Sequence, residues 1–178
     1  MTEHAVLSAS SAHRWLTCPP LPRLEHFFEN QTSEVANEGT VAHSLAEHKL
    51  RKLLGQKTRK TKSKFIDKDM EQYTDDYANY IHELLQSIRQ TTKDPIVLIE
   101  QRLDFSNYVP DGFGTGDCLI IADKTLYIID LKYGRGVGVS AENNPQMMLY
   151  ALGALNLFDA LYDIEEVSMT IFQPRKYN

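Results

Sequence analysis

The sequence has few cysteines and no long apolar run. Its two cysteines, Cys18 and Cys118, can form at most one disulfide bridge and make no metal-binding motif by themselves. The longest apolar stretches have the length of a strand, which excludes a transmembrane helix, and the N-terminal residues lack the basic and apolar regions of a signal peptide. The sequence therefore predicts a cytoplasmic protein with reduced thiols and no membrane partner.

Acidic residues are missing from one segment of a chain that is acidic as a whole. The formal net charge of -5 argues against a general polyanion-binding protein. Between His48 and Ile66, however, every charged residue is basic. Two interpretations are open: a solvated helix end followed by a flexible linker, or a strip that contacts phosphates. In the second, the phosphate-contacting residues are Lys57, Arg59, Lys60 and Lys62.

The pattern of apolar residues predicts an α/β protein. The length of 178 residues fits a single domain, residues 1–178. Apolar spacing and cap residues predict helices over Ser10–Leu16, Ser33–Leu54, Asp69–Gln90 and Pro145–Phe158. Strands are predicted over Pro95–Phe105, Asp117–Ala122, Thr125–Lys132 and Val167–Phe172. This order predicts a mixed central β-sheet flanked by helices. The large apolar residues near the N-terminus are predicted to join the core: Trp15, Leu16, Leu21, Leu24, Phe27 and Phe28.

The segment GTGDCLIIADKTLYIIDLKYG predicts a hairpin that carries charged residues. If Asp123 and Lys124 form its two-residue turn, Asp117 faces Asp130, and Lys132 lies on the same face as Asp130. Facing carboxylates repel each other, which indicates a bridging divalent metal, Mg²⁺ or Mn²⁺. The opposing interpretation is that these are ordinary strand-end charges, because the turn lacks glycine and a slip of one residue would undo the pairing.

Two further pairs have helical spacing. His43 and Glu47 are one turn apart, so the histidine either completes a metal site or is a partly buried helix residue. Gln146 and Tyr150 show the same spacing, and they either bond to phosphates or bases or cap and pack their helix. In the glycine-rich loop that precedes them, Arg135 is a candidate phosphate contact.

Taken in order, these motifs resemble the RecB-like branch of the PD-(D/E)XK nuclease superfamily. The resemblance also includes the opening segment from Ser8 to Pro19, which is similar to the start of phage and prophage proteins of this branch. The matching positions are Gly39, His43, Glu47, Glu100, Gly114, Gly116, Asp117, Asp130, Lys132, Gln146 and Tyr150.

The resemblance implies a restriction-endonuclease-like core with a metal-dependent active site. The implied metal ligands are His43, Asp117, Asp130 and the carbonyl oxygen of Leu131. Glu100 is the acid of the first strand and belongs to the catalytic set with Asp117, Asp130 and Lys132. Lys132 would position the attacking water, and Gln146 and Tyr150 would line the DNA path.

The chain departs from the family pattern in one respect. Several relatives hold an iron-sulfur cluster with one N-terminal and three C-terminal cysteines. Cys18 matches the first position, but the C-terminal trio is missing from the sequence, so no cluster is expected. The chain also stops just after the strand that follows the Gln146 helix, which fits either a minimal nuclease or part of a longer protein.

The expected function is that of a Mg²⁺- or Mn²⁺-dependent deoxyribonuclease in phage recombination or DNA processing. Exonuclease and endonuclease action are both open, as are a phage recombination partner and a second copy of the chain as partners beside DNA. The first alternative is a non-catalytic DNA-binding or assembly module on the same fold. The second is a metal-dependent hydrolase of small phosphoesters, against which the long basic segment argues.

Overall fold

The protein is built around a four-stranded mixed sheet. A computed structural model describes residues 5–25, 27–28, 33–136 and 138–176. The strands lie in the order of the chain, β1-β2-β3-β4; β1, β2 and β3 are antiparallel, and β4 runs parallel to β3. Their bounds are Ile96–Asp104 for β1, Phe113–Ala122 for β2, Thr125–Leu131 for β3 and Glu166–Phe172 for β4. The predicted α/β class with a mixed sheet flanked by helices is confirmed.

The described residues form five α-helices, and the three long ones pack on the sheet. The helices are α1 Ala12–Thr17, α2 Leu21–Glu25, α3 Glu34–Leu53, α4 Lys68–Ile88 and α5 Pro145–Tyr162, with short 3₁₀ turns at Ala9–Ser11 and Pro174–Lys176. One apolar cluster joins α3 and α4 to one face of the sheet, and a second joins α5 and the N-terminal segment to the other. Serine and asparagine side chains cap α3 and α5 as expected, because Ser33 and Asn144 accept hydrogen bonds from the first-turn amides.

The hairpin has the register that the sequence predicts. Ala122 pairs with Thr125 and Cys118 with Ile129, so the next position along the ladder places Asp117 opposite Asp130. Asp123 and Lys124 both have left-handed φ values, 47° and 64°, as a turn that matches the twist of a hairpin requires. The turn therefore forms without glycine, and the register follows from it.

β2 begins earlier than the sequence predicts. The strand starts at Phe113, and its first part contains two glycines that resemble turn residues. A Cβ atom on Gly114 would lie 2.8 Å from the Tyr150 ring, and one on Gly116 would lie 2.8 Å from Leu119. These glycines therefore serve close packing within a strand rather than a turn.

The predicted N-terminal core is largely wrong. Ala9 and Ala12 are buried against α5, but the exposed fractions of Leu16, Leu24 and Phe27 are 57%, 52% and 82%. Phe28 is exposed as well. Trp15 does pack against the same cluster as Ala9 and Ala12, and Leu21 is half-buried, so the prediction is confirmed for Trp15 and wrong for the four exposed residues. No helix in the described part of the chain is both long enough and apolar enough to cross a membrane.

Candidate metal centre

Glu100 lies where the pairing of β1 with β2 is interrupted. The strands are paired on both sides of this point in one register, but the position where Glu100 would face Asp117 is skipped. Glu100 has a left-handed φ of 53°, a strained conformation for a residue with a side chain. In a regular strand Ile99 and Leu103, four residues apart, would face the same side of the sheet. Here Ile99 packs with α3 and α4 whereas Leu103 packs with α5, so the alternation of side chains reverses between them.

β2 reverses its alternation at the same place. In a regular strand Gly114, Gly116 and Cys118 would all face the same side of the sheet. The two glycines face the α5 side, whereas Cys118 packs with α3 and α4. Asp117 is the residue at which the change occurs. Because both strands reverse together, one site at this position can draw side chains from the helices on both faces of the sheet.

Three potential metal ligands converge at the break. One ligand atom from each of His43, Glu100 and Asp117 lies within 4.8 Å of the others. His43 Nδ1 is 3.0 Å from Asp117 Oδ1, and the backbone N–H of Leu131 donates to Asp117 Oδ2 at 2.7 Å. Two carboxylates and an imidazole form a donor set suited to Mn²⁺ and, through the oxygens, to Mg²⁺. The residues present therefore fit a divalent ion.

Asp130 belongs to a neighbouring network rather than to this triad. It is 2% exposed, and its Oδ1 accepts a hydrogen bond of 3.0 Å from Gln146 Nε2. Lys132 Nζ lies 2.8 Å from its Oδ2, at ion-pair distance but not directed as a hydrogen bond. Lys132 also donates to Gln146 Oε1 at 2.9 Å, and Gln146 Nε2 is 3.0 Å from the Tyr150 hydroxyl. Gln146 thus fixes the lysine and the aspartate relative to each other.

The acidic groups of the site are held close together against their own charge. Burial, with the charges of Asp117 and Glu47, raises the pKa of Glu100 to about 7. Burial and the charge of Asp117 also raise the pKa of Asp130. Burial alone would lower the pKa of His43, but its carboxylate neighbours outweigh that effect and raise it. The charge of the neighbouring carboxylates contributes to all three shifts, and a divalent cation would relieve that part.

The pKa shifts predict that metal-free protein loses stability as pH rises from about 5 to about 8. Glu100, Asp130 and His43 each have a raised pKa in the folded state, so the folded state binds more protons than the unfolded state across this range. Bound Mn²⁺ needs the deprotonated groups and should oppose the loss. Thermal unfolding in EDTA and in Mn²⁺ measures both trends, and the Mn²⁺-induced rise in Tm should be larger at the higher pH.

Glu100→Gln provides the control for this experiment. The amide cannot titrate, so the fall of Tm with pH in EDTA should become shallower. A metal-free Tm that rises with pH, or a Mn²⁺ effect that is equal at both ends of the range, would contradict the assignment.

Two clefts share Lys132 as a lining residue. The larger, about 500 Å³, lies between the N-terminal residues Ser10 and His13 and the start of α5 at Gln146. The other, about 300 Å³, lies between His43 and the glycine-rich loop. Among the described residues, no acidic side chain lines either cleft. Both clefts therefore suit a polyanionic chain better than the overall charge of the protein suggests.

The structure brings some of the predicted DNA-contacting residues to these clefts and leaves others away from them. Gln146 lines the larger cleft, and Tyr150 contacts Gln146 from the next turn of α5. Arg135 is exposed in the glycine-rich loop. The basic residues after α3 line neither cleft; Lys60 pairs with Glu71 at 2.5 Å, and the others are exposed: Lys57, Arg59 and Lys62. Their contact with DNA stays a prediction.

Sequence reasoning missed the residues that support the metal ligands. Arg51 Nε donates to Glu47 Oε1 at 2.7 Å, and its Nη2 donates to the carbonyl oxygen of Ile99 at 3.1 Å. It therefore ties α3 to the strand residue just before Glu100. The four-residue spacing of Glu47 and Arg51 was a signal for their pairing, but the contact with β1 depends on the fold. Tyr77, on α4, lines a small cavity beside the triad.

A family model described as "Protein of unknown function (DUF2800)" matches residues 4–178. The chain belongs to this family. Because the DUF2800 match covers nearly the whole chain, it includes the hairpin, α3 and α5 and with them every candidate site residue. The description names no activity, so the function is argued from the geometry of the site.

Proposed function

We propose that this DUF2800 protein is a Mg²⁺- or Mn²⁺-dependent deoxyribonuclease that hydrolyses phosphodiester bonds. The observation that supports this most strongly is the convergence of His43, Glu100 and Asp117 beside the network of Asp130 and Lys132. A metal-binding triad next to a fixed lysine is suited to attack by water on a phosphate ester. The ordered resemblance of the motifs to RecB-like nucleases supports the same proposal and extends it to phage recombination or DNA processing.

The residues of the chain have separate tasks in this reaction. His43, Glu100 and Asp117 would hold the ion, with Asp130 and the carbonyl oxygen of Leu131 as the further ligands that the family pattern implies. When bound, the ion supplies Lewis-acid stabilisation of the charge that develops on the phosphate.

Lys132 orients the attacking water. Its ammonium group has three N–H donors, one of which bonds to Gln146 Oε1, while the ion pair with Asp130 restrains the group without a directed hydrogen bond. A remaining donor can bond to the water or to a phosphate oxygen. Because two contacts restrain Nζ, this donor is already oriented before the substrate arrives, which is the condition for effective transition-state stabilisation.

A nucleic acid is favoured over a small phosphoester by the two clefts. Both adjoin Lys132, so a strand can continue on either side of the reacting phosphate, and no described acidic side chain lines them to repel its backbone. A mononucleotide ester would use only a fraction of this surface. The exposed basic residues after α3 offer further phosphate contacts outside the clefts.

A non-catalytic assembly module is the second candidate. The observation that favours it is the exposed apolar surface near the N-terminus, where Leu16, Leu24, Phe27 and Phe28 are all more than half exposed. Surfaces of this kind mark contacts with other proteins. The two functions differ in one result, because only a nuclease consumes DNA.

Incubation with labelled substrates and either metal tests the proposal. Linear duplex, circular single-stranded DNA and a thymidine mononucleotide ester are compared in Mn²⁺, Mg²⁺ and EDTA. We expect metal-dependent cleavage of at least one DNA form and little turnover of the small ester. DNA that is bound but not cleaved in either metal would support the assembly module, and preferential turnover of the mononucleotide ester would support a phosphoesterase.

A further inference from the structure

Tyr77 has a buried hydroxyl without a protein partner. The residue lies on α4, is 2% exposed and packs edge-on against Phe172 with the ring centroids 5.6 Å apart. Among the described residues, no group accepts a hydrogen bond from its hydroxyl or donates one to it. Burial of a hydroxyl without a partner is destabilising, and most buried hydroxyls have one. A phenylalanine would fill the same space at no such cost.

A small cavity lies beside this hydroxyl and the metal-binding triad. It has a volume of about 10 Å³ and is lined by Tyr77 together with His43, Glu100 and Asp117. This is roughly the space that one water molecule needs, and a buried water is stable only with two or more polar partners. The tyrosine hydroxyl and the two carboxylates supply them.

The chemistry of these partners gives the water a defined orientation. Burial, with the charges of the nearby carboxylates, raises the pKa of Tyr77 above its ordinary value, so the hydroxyl stays protonated and a donor at neutral pH. A water that accepts from Tyr77 has its own hydrogens left for Glu100 and Asp117. Such a water would fix the direction in which those carboxylates present their remaining lone pairs.

We propose that Tyr77 is a positioning residue of the metal centre, acting through one water held in this cavity between its hydroxyl and the carboxylates of Glu100 and Asp117. The inference rests on the proposed function, since it presupposes that the triad binds a divalent ion. Groups that orient metal ligands by hydrogen bonds, without binding the metal themselves, typically contribute about 10–100-fold to metal affinity.

Calorimetry with Mn²⁺ on wild type, Tyr77→Phe and Tyr80→Phe tests this role without DNA. Tyr80 is the matched control, because it lies on the same helix and packs on the same phenylalanine, with ring centroids 5.3 Å apart, but does not line the cavity. We expect Tyr77→Phe to weaken Mn²⁺ binding by roughly 10-fold and Tyr80→Phe to leave it unchanged. Thermal unfolding in EDTA verifies that each variant is folded.

The outcomes separate this inference from the function on which it rests. If wild type binds Mn²⁺ and Tyr77→Phe binds it equally well, Tyr77 is only a core residue and the inference is wrong. Equal weakening by both substitutions would also overturn it, because the effect would then come from α4 packing. If wild type binds no Mn²⁺ at all, the metal centre itself is wrong and the inference falls with it.

Discussion

Asp117→Asn should bind Mn²⁺ at least ~100-fold more weakly than wild type and lose measurable DNA cleavage. Loss of a group that only hydrogen-bonds to a metal ligand costs about 10–100-fold in metal affinity, and a charged ligand contributes more than such a group. Asparagine keeps an oxygen that can accept the Leu131 N–H bond, which alanine would leave unpaired. The substitution also removes one of the charges that repel Asp130 and Glu100. The metal-free protein should therefore unfold at the same temperature as wild type or at a higher one.

Asp123→Asn is the matched control for this change. Asp123 lies in the turn of the same hairpin, and asparagine tolerates the left-handed φ of 47° found there. Calorimetry and cleavage assays on both variants give the comparison. Wild-type Mn²⁺ affinity in Asp117→Asn would refute the metal centre, whereas a large drop in metal-free Tm would show that the carboxylate serves the fold.

Lys132→Met should reduce DNA cleavage by roughly 10²-fold or more while Mn²⁺ binding is kept, because a positioned acid-base group usually contributes 10²–10⁴-fold. Methionine keeps most of the length of the side chain and removes its charge and its donors. The loss of a cation 2.8 Å from Asp130 should leave Mn²⁺ affinity equal or slightly higher. Cleavage rates at saturating metal and DNA, set beside calorimetry, distinguish a defect in turnover from a defect in binding.

Lys124→Met tests whether any lysine of the hairpin has this effect. Lys124 lies at the opposite end of β3 and pairs with Asp163 and Glu165 at 2.7 and 2.6 Å. Its replacement should leave cleavage unchanged. Near-wild-type cleavage by Lys132→Met would instead reduce Lys132 to a structural partner of Asp130 and Gln146.

The hairpin was predictable because its two determinants are local. A two-residue turn and two strands of alternating side chains fix one register, and the pairing of Ala122 with Thr125 shows that register. The contact of Gln146 with Tyr150 also follows from a short-range rule, since one-turn spacing places both side chains on one face of α5. The sequence therefore contained the part of the site that lies within β3 and α5.

The grouping of Glu100 with His43 and Asp117 was not predictable from these rules. If side chains alternated regularly, every second residue of a strand would face the same side of the sheet along its whole length. In both β1 and β2 this alternation reverses at the break instead. The glycines at the start of β2 resemble turn residues in the sequence, because their role depends on how closely Tyr150 approaches Gly114 and how closely Leu119 approaches Gly116. The exposed Leu16 on α1 shows a related limit: the hydrophobicity of a residue does not tell which side of a short helix meets the core.

The backbone of Glu100 implies a conflict between stability and function at one position. Its left-handed conformation costs about 1–2 kcal/mol for a residue with a side chain, and its raised pKa shows that the charge is disfavoured as well. Glycine would remove both penalties. Selection for a robust fold alone would thus replace this glutamate, and its presence points to selection for the carboxylate itself. A related chain with glycine here would be more stable to heat and would bind the divalent ion less tightly.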